Sequence, residues 1–150
     1  MADTYTCLRF HFVFNTKNRF PFIDTPVEAA LHKFIGQLAV DIEVKLLVIG
    51  GVADHVHMLA ALPPTMSVSA FIKRIKGASS VWLKNNFPAY GGFSWQEGYS
   101  AFTVSSSMME TTLCYILNQH EHHKTQTPEH ELCEFIKKHE TDDAKLVREH

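Results

Sequence analysis

Val44-Lys45-Leu46-Leu47-Val48-Ile49-Gly50-Gly51-Val52-Ala53-Asp54-His55-Val56-His57-Met58-Leu59-Ala60-Ala61-Leu62 is the stretch on which the fold turns. Val44–Ile49 is rich in β-branched residues and reads as a strand. Gly50-Gly51 punctuates it. His55–Leu62 is a second strand, stopped by Pro63-Pro64, which cannot donate to a ladder. Two strands follow each other here with no helix between them.

Upstream, Tyr5–Asn15 alternates: Leu8, Phe10, Phe12 and Phe14 share one face, and Cys7, Arg9, His11 and Val13 share the other. That is a strand with an aromatic core face. After a loop carrying Lys17 and Arg19, Thr25-Pro26-Val27-Glu28 reads as a helix start, with Thr25 as cap and Pro26 at the first position. Val27, Leu31, Phe34, Ile35 and Leu38 follow at helical spacing. Downstream, Ser67 caps a helix whose apolar stripe is Phe71, Ile72, Ile75 and Trp82. A strand follows over about Tyr99–Val104. Ser107-Met108-Met109-Glu110 then reads as a capping box opening a helix to about His123, and Pro128 starts a charged helix through Lys138. The order β-α-β-β-α-β is the ferredoxin-like α+β pattern: an antiparallel sheet with two helices on one face, here with added C-terminal helices. Residues 1–124 are expected to form the domain and residues 125–150 an acidic helical tail.

The chain has 150 residues, 45% of them apolar and 20% charged, enough for one domain with a packed core. No apolar run approaches ~18 residues, which argues against a membrane span, and the N-terminus lacks a signal-peptide pattern. Three widely spaced cysteines, Cys7, Cys114 and Cys133, form neither a disulfide framework nor a zinc motif. These features point to the cytoplasm. The net charge of -2 counts against a nucleic-acid partner until it is resolved by position. Residues 1–124 carry ten Lys+Arg and nine Asp+Glu; residues 125–150 carry four and seven. Between His55 and Gln96 lie Lys73, Arg74, Lys76 and Lys84 and no acidic residue. A phosphate backbone feels such a local field and not the total.

Two constellations carry chemistry. His55 and His57 stand two apart on a strand, so they share a face and can converge on one metal ion. An H-x-H pair alone is more often a pair of solvent-facing histidines on a half-exposed sheet. Tyr115, Gln119 and His122 fall on one face of the third helix, away from the apolar stripe of Met109, Leu113, Ile116 and Leu117, so they are expected to look away from the core. A tyrosine there can act as a nucleophile, and a glutamine one turn later can offer its carbonyl oxygen to a hard cation. Taken alone, Tyr115 is more often a surface tyrosine hydrogen-bonded to its neighbour.

Asp54-His55-Val56-His57-Met58-Leu59 followed by Tyr115-Ile116-Leu117-Asn118-Gln119 resembles the single-tyrosine HUH transposases of small bacterial and archaeal insertion sequences. The runs His11–Arg19, Arg74–Ser80, Trp95–Tyr99 and Gln119–Lys124 support the likeness, which covers roughly residues 5–124. Asn118-Gln119-His120-Glu121 stands where the related REP-associated tyrosine transposases carry an Asn-Pro-Val-Arg-like stretch, so the insertion-sequence branch fits better.

The resemblance implies that His55, His57 and Gln119 bind a divalent ion, Mg²⁺ or Mn²⁺, and that Tyr115 attacks a DNA phosphate. It implies a prokaryotic, DNA-associated enzyme acting on single-stranded DNA with hairpins at element ends. It also implies a homodimer in which the Tyr115 helix can complete the partner's site. His122 is a possible assistant, and Lys17, Arg19, Lys73, Arg74 and Lys76 are the candidates for tracking the DNA backbone. Trp95 and Tyr99 are assigned to core packing ahead of base stacking. Two other readings use the same residues: a hairpin-binding regulatory protein without chemistry, and a metal-dependent hydrolase that uses water in place of Tyr115.

Overall fold

The computed structural model describes residues 3–122. Two compact units divide at Gln119 and His120. The first contains four strands, β1 (Leu8–Asn15), β2 (Lys45–Val52), β3 (His55–Leu62) and β4 (Ser100–Thr103), with helices α1 (Thr25–Asp41), α2 (Val68–Asn86) and α3 (Met109–Leu117). A short helix α4 (Gln119–His122) begins at its last residue. The charged helix expected after Pro128, Cys133 and the acidic tail all lie outside the described residues.

The strands pair in the order β2-β3-β1-β4, every pair antiparallel, which is the expected ferredoxin-like sheet. The β2–β3 hairpin pairs Val52 with His55 across Ala53-Asp54. Its turn is anchored from outside: the Thr16 backbone N–H and hydroxyl both donate to the Asp54 carbonyl, at 2.8 and 3.1 Å, and Ile23 N–H donates to the Ala53 carbonyl at 2.9 Å. The end of β1 and the start of β3 are thereby fixed to each other.

Strand alternation gives the sheet two unlike faces. Phe12 and Phe14 of β1 and Val56, Met58, Ala60 and Leu62 of β3 enter the main core. Leu31 and Ile35 of α1 and Phe71, Ile72 and Ile75 of α2 cover them. Trp95 joins this layer, edge-on to Phe14 at 4.8 Å, and donates to the Ser79 hydroxyl at 3.0 Å. Tyr99, by contrast, is 41% exposed. On the other face a smaller cluster of Leu59, Val104 and Ile116 seats α3.

Helix starts depart from expectation in two places. Asp24, not Thr25, caps α1, its carboxylate accepting from Val27 N–H at 3.3 Å. The reading placed the cap one residue late because both residues are good caps, and Asp24 is the one with extended backbone. The Ser107–Glu110 capping box does not form: Ser106–Met108 is a 3-10 turn, and α3 begins at Met109 with no side-chain cap. Ser67 does cap α2, accepting from Ala70 N–H at 3.1 Å.

Candidate active site

Register places the site. Val13 pairs with His57 and Asn15 with His55, and on the other side of β3 Gly50 pairs with His57. Directly paired residues share a face, so His11, Val13, His55 and His57 all point away from the aromatic core, toward α3. His55 and His57 are buried, at 2% and 5% exposure. Their rings meet edge to face with centroids 5.0 Å apart.

α3 reaches the histidines because Gly50 has no side chain. A Cβ there would stand 2.3 Å from the Ile116 carbonyl oxygen and 3.0 Å from Ile116 Cγ2. The backbone of α3 therefore lies directly on β2 at the point where β2 is paired with His57.

This seating changes which side of α3 is buried. Thr112, Ile116 and Gln119 are buried, Met109, Leu113 and Tyr115 are half-buried, and Leu117 is 59% exposed. Tyr115 and Gln119 thus do not look away from the core. The seam on the sheet runs between the apolar stripe and the tyrosine face, roughly 80° round from Tyr115 at ~100° per residue, so Tyr115 stands on its margin. The tyrosine ring lies edge-on to His57 at 5.6 Å and to His11 at 6.1 Å, in the same chain.

The helix also ends earlier than expected. α3 stops at Leu117, Asn118 serves as its C-cap, and Gln119 opens α4. The last carbonyls of a helix lack backbone partners, and Gln119 supplies one: its Nε2 donates to the Tyr115 carbonyl at 3.2 Å. That bond fixes the amide's orientation and turns Oε1 toward His55 Nε2, 3.4 Å away. The side chain of His122 lies outside the described residues.

Asp54 and His11 complete the cluster, and the sequence reading gave neither a role. Asp54 Oδ1 lies 2.7 Å from His55 Nδ1. His11, fully buried, places Nε2 2.8 Å from His57 Nδ1. Each motif histidine is therefore engaged through Nδ1. The signals existed: Asp54 adjoins the motif, and His11 has the face parity opposite to the phenylalanines.

The donor set fits a divalent cation. His55 Nε2 and Gln119 Oε1 face each other across 3.4 Å, about the span of two ligands each ~2.1 Å from one ion. Among the described residues no three His, Cys, Asp or Glu gather as a metal set. Beside His55 and His57, the Gln119 amide oxygen is the further donor at hand.

The basic candidates divide by place. Lys17 is exposed and Arg19 half-buried in the loop after β1, tied through Thr16 to the Asp54 turn at the His55 end of the sheet. Lys73 and Arg74 are exposed on α2, across the sheet from the histidines, beside a groove floored by Phe34 and Trp82. Lys76 is engaged internally: its ammonium donates to the Gln96 and Gly98 carbonyls at 2.7 and 2.5 Å, strapping that loop to α2. Burial lowers its pKa, against the raising effect of nearby Glu97.

A ferredoxin-like sheet with paired strand histidines facing a tyrosine helix is a defined class of architecture, and comparison places this chain within it. The chain belongs to the IS200-like transposase family, whose model (Transposase IS200 like) matches residues 4–119. It is 26% identical over 119 residues to the ISDra2 transposase TnpA of Deinococcus radiodurans, covering 76% of this chain and 85% of that one. It is 34% identical over 87 residues to the transposase of insertion sequence element IS200 from Salmonella typhimurium, covering 58% of this chain and 57% of that one. Among solved structures, a candidate transposase from Deinococcus radiodurans R1 aligns with TM-score 0.63 at 26% identity, over 79% of this chain and 96% of that one. A REP-associated tyrosine transposase bound to a REP hairpin aligns with TM-score 0.61 at 18% identity, over 82% and 73%, and shares the fold. No helix among the described residues is long and apolar enough to cross a membrane.

Proposed function

We propose that this transposase cleaves and rejoins single-stranded DNA at insertion-sequence ends through a covalent tyrosine intermediate, with a divalent ion held by His55, His57 and Gln119. The observation that carries the reading is the His55 Nε2–Gln119 Oε1 opposition beside the Tyr115 ring.

Tyr115 Oη attacks the phosphorus and gives up its proton. The bond from phosphorus to the 3′-oxygen breaks, and that oxygen leaves as a 3′-OH once protonated. The products are a 5′-phosphotyrosine and a free 3′-OH. Attack by another strand's 3′-OH reverses the step and transfers the strand with no external energy source. Tyrosine ordinarily ionises near pH 10, so deprotonation must be coupled to attack. A bound Mg²⁺ or Mn²⁺ supplies Lewis-acid stabilisation of charge on the phosphate and leaving oxygen. The chain's own contribution is placement: Asp54 and His11 hold the two imidazoles, Gln119 is aimed by the Tyr115 carbonyl, and Gly50 lets α3 lie close enough for all of them to meet.

Lys17 and Arg19, at the His55 end of the sheet, are assigned to the scissile strand. The substrate proposed is DNA with hairpins near the element ends, in keeping with the hairpin in the REP-associated neighbour, and the working unit proposed is a homodimer. Incubation with labelled single-stranded end DNA and Mg²⁺ or Mn²⁺ should give a denaturant-resistant adduct, absent in Tyr115→Phe. An adduct that survives Tyr115→Phe, or turnover without an adduct, refutes the tyrosine mechanism; the latter would indicate a hydrolase. Hairpin binding with no cleavage under any divalent ion would indicate the regulatory protein.

A further inference from the structure

We infer that Phe20 is a stacking platform for a nucleobase of the single-stranded substrate next to the scissile phosphate, with Lys17 beside it on the phosphate backbone. The inference rests on the reading that the site works on single-stranded DNA.

The turn that carries both residues is strained. Phe20 N–H donates to the Lys17 carbonyl at 3.2 Å, closing a four-residue turn. Its two central residues, Asn18 (φ 55°, ψ 21°) and Arg19 (φ 54°), are both left-handed. Asn-Gly is the ordinary pair for that geometry, and here an arginine stands where glycine would be free of strain. Strain of this kind persists only where the surroundings hold it, and it gathers at functional sites. The surroundings do hold it. Lys17 N–H donates to the Ser94 carbonyl at 3.0 Å, and Asn18 N–H to Gln96 Oε1 at 3.1 Å. The Thr16 hydroxyl lies 2.7 Å from the Phe20 carbonyl and 3.1 Å from that of Asp54, the residue before His55. The ends of such a turn stand within about 7 Å of each other. Lys17 and Phe20 are therefore neighbours at the histidine end of the sheet.

The Phe20 ring is the outer member of an aromatic series. Phe93 is fully buried, Phe22 is half-buried and Phe20 is 57% exposed. Ring centroids step outward by 5.2 Å from Phe93 to Phe22 and by 4.4 Å from Phe22 to Phe20. One exposed phenylalanine is ordinary on a protein surface. This one has an aromatic backing and an exposed cation on the same turn. From Asn15 to Ile23 the chain carries Lys17 and Arg19 and no acidic residue, which suits a phosphate backbone. Single-stranded nucleic acid is bound by this pairing: cations follow the phosphates, and a ring takes a base by its face, whichever base it is.

The test is fluorescence anisotropy with a labelled single-stranded thymidine oligomer and with an abasic oligomer of the same length, in the absence of divalent ions so that no cleavage intervenes. The parent protein should bind the thymidine strand more tightly than the abasic one. Phe20→Ala should weaken binding of the thymidine strand ~5–150-fold, the range for one lost base–aromatic stack, and leave binding of the abasic strand unchanged. Phe20→Trp should keep the parental affinity. Salt separates the two partners: Lys17→Gln should reduce the slope of log K against log[salt] by ~0.7, one phosphate contact on a single strand, and Phe20→Ala should leave it unaltered. Equal affinity of the parent protein for both strands overturns the inference, and needs no variant to fold. So does a loss of the same size on both strands in Phe20→Ala, which would mark damage to the turn. Parental affinity in Phe20→Ala overturns it as well, and with a changed sedimentation coefficient would assign the ring to an interface between copies of the chain. Failure of the parent protein to bind either strand counts against the single-strand reading itself and takes the inference with it.

Discussion

Gly50 offers the sharpest test of how the site is assembled. An added methyl at this position would sit 2.3 Å from the Ile116 carbonyl oxygen, and ordinary contact begins at 3.4 Å. About 1.1 Å must therefore be found, and it must come from backbone, because the obstructing atom cannot rotate away. Overpacking of this kind costs about 1–3 kcal/mol. With a urea slope of about 1–3 kcal/mol per molar for a small protein, Gly50→Ala should lower the unfolding midpoint by roughly 1 M. The functional loss should be larger than the stability loss. Backing α3 off by about an ångström moves Tyr115 and Gln119 from the histidines, and a misplacement of that size can cost ~10²-fold in rate. Gly36 and Gly77 are internal controls of opposite sign. Each lies within a helix and has nothing within 4 Å of a new Cβ, so alanine should stabilise by about 0.5–1 kcal/mol through helix propensity. The assay is urea denaturation of all three variants beside the rate of adduct formation on single-stranded DNA. A Gly50→Ala protein with parental midpoint and parental adduct rate would refute the argument that close approach of α3 builds the site.

Other perturbations separate the parts. Asp54→Asn should leave the fold intact and weaken Mn²⁺ binding ~10–100-fold, measured by electron paramagnetic resonance, because a ligand's carboxylate partner has been neutralised. Tyr90 donates a short hydrogen bond to Asp24, which with burial and the carboxylate's charge raises its pKa. The stability from that bond is present below the unfolded value of about 10 and is lost as pH rises through the higher folded value. Denaturation midpoints of the parent should fall more steeply than those of Tyr90→Phe between about pH 9 and about pH 11. Lys76→Met removes both carbonyl contacts of the 96–98 loop. It should lower the thermal midpoint and speed hydrogen exchange in that loop while leaving Mn²⁺ affinity unchanged.

The sheet was legible because alternation and punctuation are local. Tyr5–Asn15 and His55–Leu62 show their faces residue by residue, and Pro63-Pro64 marks where β3 ends. The motif residues were legible by type and spacing. What escaped depends on contacts distant in sequence. His11 gains meaning only when β1 pairs with β3, and Gly50 only when α3 lands on it. The orientation of α3 escaped because an apolar stripe identifies a buried side but not its centre: the polar Thr112 and Gln119 are buried while Leu117 is exposed. Lys76 read as a free cation because nothing local marks the carbonyls that capture it.

The two-sided sheet has a consequence for how mutations in this chain should sort. Along β3, neighbouring residues serve different masters: Val56, Met58 and Ala60 belong to the main core, while His55 and His57 belong to the site. A saturation scan of this strand, scored separately for protein abundance and for strand transfer, should therefore beat with a period of two residues. Abundance should dip at one parity, and transfer alone should dip at the other. The same beat should reappear on β1, where Phe12 and Phe14 flank Val13 and His11 precedes them. Heredity in this ribbon is written as two interleaved texts, and a one-residue slip of register would exchange them.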